Sequence, residues 1–156
     1  MVETSALKDA YLVTGLKEEE AAQIAAIATV RTYRSGEALT KTGDAAKEVF
    51  IILSGNVKVT TDDGDLLGEV GANSVVGEMG LVDSYPANAN VTCVGAVCVA
   101  AISTLELRRL MGQNRDWGFV ILSNISRVMA GRLRQTNARI DELTDLTTEP
   151  WQHSLG

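Results

Sequence analysis

The chain has 156 residues, 46% of them hydrophobic and 22% charged, the make-up of one globular domain with room for a core. Its net charge of −6 argues against the basic face with which a protein neutralises nucleic-acid phosphates. No apolar run approaches the roughly 20 residues that span a bilayer, and the opening MVETSALKDAY lacks a basic segment followed by an apolar one, so no signal peptide is read and the expected location is cytoplasmic. A single histidine, His153, and two cysteines, Cys93 and Cys98, are too few for a Cys/His zinc site and leave no Ser/His/Asp or Cys/His constellation. The chain therefore reads as a non-enzyme with no metal.

Residues 1–28 read as an N-terminal helical segment. Ala21, Ile24, Ala25 and Ala28 recur at helical spacing, and Glu18, Glu19 and Glu20 suit the positive end of the helix dipole. From 29 to 102 short β-rich runs alternate with turn signals: TVRTYR, ALTKT, VFIIL, VKVTT, LLGEV, VVGE, ANVTCV and VCVAAI. Strands this short, with a turn every 8 to 12 residues, predict a β-sandwich or barrel. Asp63-Gly64 predicts a tight hairpin, because glycine accepts the positive φ such a turn needs. Val94-Gly95-Ala96-Val97 resembles a second hairpin turn, which would place Cys93 opposite Cys98, as a reduced pair or a cross-strand disulfide.

Ser103-Thr104-Leu105-Glu106 is a capping box that opens a short helix over 103–112. A long helix follows over 114–146, leaving a tail at 147–156 that holds Pro150 and His153. Phe119, Leu122, Ser126, Met129, Leu133, Thr136, Ile140 and Leu143 fall at alternating spacings of three and four, a coiled-coil seam. Trp117, Val120, Ile121, Ile125 and Val128 widen the apolar face near the helix start, as packing on its own domain requires. The helix is thus expected to begin against its own β-domain and to end against a second subunit, giving a parallel homodimer. Arg127, Arg132, Arg134 and Arg139 interleave with Asp141, Glu142 and Asp145 and read as a solvated face.

This order of parts resembles the cyclic nucleotide-binding domain family, in particular the sensor domain of catabolite activator and fumarate-nitrate regulator proteins. Tyr33-Arg34-Ser35-Gly36-Glu37 with Gly43-Asp44 looks like the family's opening strands, and Val49 to Val59 looks like its "hydrophobic-x-x-Gly-x-Val" hairpin. Val76-Gly77-Glu78-Met79-Gly80-Leu81 looks like its phosphate-binding cassette. The resemblance implies a mostly β fold with flanking helices: an eight-stranded, cupin-like jelly roll with a long C-terminal helix, in one domain over residues 1–146. It implies a ligand site at Val76, Gly77, Glu78, Met79, Gly80, Ala87, Asn88 and Ala89, with Glu78 accepting from a ribose 2′-hydroxyl. It adds Thr136 for adenine, with Asn137 where the family has serine.

Two departures stand out. The family pattern Pro-Arg-Ala-Ala-(Thr/Ser)-Val reads here Pro86-Ala87-Asn88-Ala89-Asn90-Val91, so alanine stands where an arginine would clamp the phosphate. No residue from 83 to 91 replaces that cation. Only Thr147 to Gly156 follow the long helix, too few for a helix-turn-helix, so direct DNA binding is not expected. Two functions remain open: a dimeric sensor of a small, cAMP-like ligand (cAMP or cGMP) that acts through a protein partner, or a degenerate relative that has lost nucleotide binding and serves as an interaction module.

Overall fold

A computed structural model describes the backbone of residues 2–147 and the side chains as far as Thr144. The expected tail, with Pro150 and His153, lies outside the described residues. The N-terminal segment is three helical pieces: α1 (Thr4–Leu7), a 3-10 turn at Tyr11–Val13, and α2 (Glu18–Ile27). Gly15, at φ 84°, breaks the path before α2. The Glu20 carboxylate then accepts from the Lys17 amide at 2.8 Å, starting α2 with three glutamates in its first turn.

Six antiparallel strands follow: β1 (Ala28–Tyr33), β2 (Ala38–Thr40), β3 (Glu48–Thr60), β4 (Leu66–Val70), β5 (Val75–Val76) and β6 (Asn90–Ser103). Their order is β1-β6-β3-β4, with β2 also on β6 and β5 on β3. The jelly roll is the expected one, but its strand count differs from the eight read in the sequence because two pairs of runs are fused. β3 and β6 are 13 and 14 residues long, and each bends in place. The β3–β6 register shifts between Ile52 and Ser54 and again between Ser54 and Asn56, beside Gly55 at φ 92°. A Cβ on Gly55 would run into the Ala96 carbonyl, so the crossing demands glycine. Cys93 and Cys98 therefore lie on one strand, opposite Val57 and Ser54, and both thiols are free. The hairpin expected at 94–97 is a bulge within β6, and a cross-strand pairing of the two cysteines falls with it. The Asp63-Gly64 turn does join β3 to β4, with Gly64 at φ 87°.

The continuous run VFIIL faces two cores at once. Val49 and Ile51 pack towards the helices, with Ala100, Ile102, Leu107 and Trp117. Phe50 and Ile52 point into the roll, with Val57, Val76, Cys93, Val97 and Val99. Burial on both faces is why this strand shows no polar alternation. After β6 the Ser103 hydroxyl accepts from the Glu106 amide at 3.2 Å and caps α4 (Thr104–Gln113).

The last element, α5 (Arg115–Thr147), changes character along its length. Trp117, Ile121 and Ile125 are buried on the domain. Gly118 lies so close to α4 that a Cβ would stand 2.7 Å from the Met111 carbonyl oxygen. Further on, Leu133 is 61% and Ile140 54% exposed, and Phe119, Leu122 and Leu143 are exposed too. Among the described residues, no helix is long and apolar enough to cross a membrane.

Candidate ligand site

Strand β5 is short because it ends where the cassette must turn. Phe50 pairs with Val76, and Gly77 then takes φ 86° as the N-cap of α3 (Glu78–Asp83). A Cβ at Gly77 would lie 2.8 Å from the Glu48 carbonyl oxygen, and one at Gly80 would collide with Ala46 Cβ. Both glycines are needed by the close approach of α3 to residues 46–48. The C-terminal end of α3 is held by Arg108 from α4. Its Nε donates to the Leu81 carbonyl at 2.9 Å, and Nη2 donates to the Gly80 carbonyl and the Ser84 hydroxyl, each at 2.5 Å. A guanidinium at a helix C-terminus satisfies orphan carbonyls and meets the negative end of the dipole.

This frame places Glu78 in the first turn of α3 with a side chain only 5% exposed. Its Oε1 accepts from Arg132 Nη1 of α5 at 2.8 Å, while the Arg132 side chain is 54% exposed. Arg132 stays on the exposed face expected from the sequence, and its guanidinium also pairs with the cassette carboxylate. No local signal marks this pair in the sequence, since the two residues stand 54 apart. Arg127, also exposed, donates to Asn124 Oδ1 at 2.6 Å within α5. The Tyr11 hydroxyl is buried, within reach of the charges of this pair. Burial and the Glu78 carboxylate push its pKa well above the usual phenol range.

The other end of the site is built differently. The Ala87 amide donates to the Asp44 carbonyl at 2.9 Å, and its carbonyl accepts from the Gly43 amide at 2.8 Å. Position 87 is thus fixed by backbone bonds and offers a methyl. Asn90 braces the same region: its Oδ1 accepts from the Thr42 amide at 2.9 Å. Between the two ends lies a cavity of about 1100 Å³. It is large enough for a nucleotide-sized molecule. Val76, Gly77, Glu78, Met79, Gly80, Ala87, Asn88, Ala89 and Thr136 all line it, so the structure brings together nine of the ten residues picked from the sequence. Asn137 does not line it. Thr136 donates its hydroxyl to the Arg132 carbonyl at 3.0 Å, which satisfies that polar group within α5. The cations on the wall are Lys47, Arg132 and Arg139, none from the 83–91 segment. Among the described residues no group of three or more His, Cys, Asp or Glu side chains gathers as a metal ion would require.

The chain is thus a jelly roll closed by a glycine-framed helical turn and a long helix. The family model described as cyclic nucleotide-binding domain matches residues 30–114, and the chain belongs to that family. Glutaminase 1 of Bradyrhizobium diazoefficiens is 34% identical over 142 residues, covering 91% of this chain and 23% of its own length. The chain thus spans about a quarter of that relative. The catabolite activator protein of Thermus thermophilus superposes with TM-score 0.74 at 24% identity, over 86% of this chain and 63% of that one. The regulatory subunit of a cAMP-independent protein kinase A from Trypanosoma brucei superposes with TM-score 0.70 at 21% identity, over 80% and 43%. A variant of that subunit, with one glutamate and one valine changed and a threonine replaced by arginine, is bound to cAMP in its A site; it superposes with TM-score 0.68 at 22% identity, over 80% and 44%.

Proposed function

We propose that this chain is a cytoplasmic, non-catalytic sensor module that binds a small nucleotide-like ligand and reports it through α5. The ligand's sugar hydroxyl meets Glu78, its base lies towards Thr136, and its phosphate end lies at Ala87, where no cation receives it. The observation that carries this reading is the Glu78–Arg132 pair, which ties the sugar-binding carboxylate directly to the long helix. A hydroxyl arriving at Glu78 changes how Arg132 is held, and through it the position of α5. Such a shift requires that the ligand bind the two arrangements with different affinity. The exposed seam of Phe119, Leu122, Leu133, Ile140 and Leu143 suits a second copy of the helix, so the shift is read by a dimer. In the glutaminase relative the matching segment is 23% of a longer protein, which supports an output carried by a partner or by further chain.

Titration calorimetry of the full chain with cAMP and cGMP tests this. The expected result is weak binding, because loss of one partner of a buried charge contact costs about 2–5 kcal/mol. No heat and no thermal shift with a nucleotide panel would sink the sensor reading. One observation favours that second outcome, an interaction module without a ligand: Ala87 brings no cation to the wall, and its backbone groups are already bonded to Gly43 and Asp44.

A further inference from the structure

Four residues of α5 line the cavity: Arg132, Gln135, Thr136 and Arg139. Steps of three, four and seven from Arg132 put them on one face of the helix, so they form a single stripe along one wall. Each has a different hydrogen-bonding character. Arg132 is engaged by the Glu78 carboxylate at 2.8 Å. The Thr136 hydroxyl gives its proton to the Arg132 carbonyl at 3.0 Å, so its lone pairs are what remains for a ligand and it acts there as an acceptor. Arg139 is exposed and has no ion-pair partner among the described residues. A guanidinium only donates, and its flat fork of N–H groups fits two acceptors side by side. Gln135 carries a donor and an acceptor on one amide that turns either way, so it favours neither base. The discriminating part of the wall is therefore an acceptor at Thr136 and, one turn further along, a forked donor at Arg139.

The two purine edges answer this pattern differently. Guanine carries neighbouring acceptors at N7 and O6, followed by a donor at N1. Adenine carries an acceptor at N7, a donor at its 6-amino group and an acceptor at N1. Against guanine the fork meets N7 and O6 together, and the adjoining N1–H donates to the threonine oxygen. Against adenine the fork meets the amino group, donor on donor, and the bare N1 faces the threonine lone pairs. We propose that Arg139 selects the base, and that the cavity takes a guanine-type base, with acceptors at O6 and N7 and a donor at N1, in preference to adenine. This deepens the sensor reading above and rests on it, since that reading turns the base towards Thr136.

Calorimetric titration of the full chain with cGMP, cIMP and cAMP tests the selection. The base of cIMP keeps the O6, N7 and N1–H of guanine without its 2-amino group, so it isolates the edge that the wall reads. Both cGMP and cIMP should bind more tightly than cAMP, by roughly 5- to 150-fold, the discrimination that a bidentate arginine–guanine contact provides. Arg139→Gln should abolish or invert that ranking, because a glutamine amide matches adenine. The side chain it replaces is exposed, so the fold is unaffected. The same ranking is expected, at higher affinity, in Ala87→Arg, whose charge acts at the other end of the cavity. Three results overturn the proposal and leave the sensor reading standing: cAMP binding as tightly as cGMP, cIMP ranking with cAMP, or a guanine preference that survives Arg139→Gln. No binding of any of the three, in the parent and in Ala87→Arg alike, overturns both.

Discussion

The two ends of the cavity are held by different kinds of bond. At the Glu78 end side chains from distant elements converge: Arg132 of α5 on the carboxylate, Arg108 of α4 on the far end of α3, and Tyr11 of the N-terminal segment beside them. At the Ala87 end the segment is held by its own backbone, to Gly43 and Asp44, with Asn90 bracing the neighbouring loop. A site fixed by side chains can pass a change to the elements those side chains belong to. A site fixed by backbone bonds to an adjacent loop passes it nowhere far. The proposed sugar end is thus wired to the helices, while the proposed phosphate end is held by backbone bonds and Ala87 brings no charge to it.

The largest expected way to break this contrast is Gly77→Val. It forces a β-branched residue to φ 86° and sets its Cβ 2.8 Å from the Glu48 carbonyl oxygen. Strain of that kind costs about 1–3 kcal/mol before the clash is counted, so denaturant unfolding should show a loss of roughly 3 kcal/mol, with the sugar end disordered first. Next is Leu133→Asp, which buries a charge in the proposed seam. Sedimentation at several concentrations should show self-association weakened at least tenfold (about 1.4 kcal/mol), with monomer stability nearly unchanged. The smallest is Arg108→Met, which keeps the bulk and removes the bonds to α3. Because the guanidinium is partly exposed, a loss of about 1 kcal/mol is expected by chemical denaturation. Hydrogen exchange should quicken in α3 and not in the Gly43–Ala87 contact; equal quickening at both would erase the distinction between the ends.

The fold was legible wherever local chemistry decides structure. Ser103 and Glu106 announced the start of α4, Asp63-Gly64 announced the turn between β3 and β4, and the widening of the apolar face at Trp117, Ile121 and Ile125 marked the part of α5 that is buried. The strand count was not legible, because a glycine that bends a strand and a glycine that turns a hairpin look alike in sequence. Only the close approach of Gly55 to Ala96 tells them apart. The cassette and Ala87 could be read because their residues are contiguous. Arg132 and Tyr11 could not, since their contacts join segments far apart in the chain. In sequence, an arginine among acids on a helix looks solvated whether or not a buried carboxylate awaits it.

The central claim is that the missing charge at position 87 is what separates this cavity from an ordinary cyclic nucleotide site. Calorimetric titration of cAMP into the parent and into Ala87→Arg tests it most directly. A charge-assisted clamp worth about 2–5 kcal/mol predicts a gain in affinity of roughly 30-fold to several thousand-fold for the variant. Equal affinities in two folded proteins would contradict the account and move the phosphate end away from Ala87.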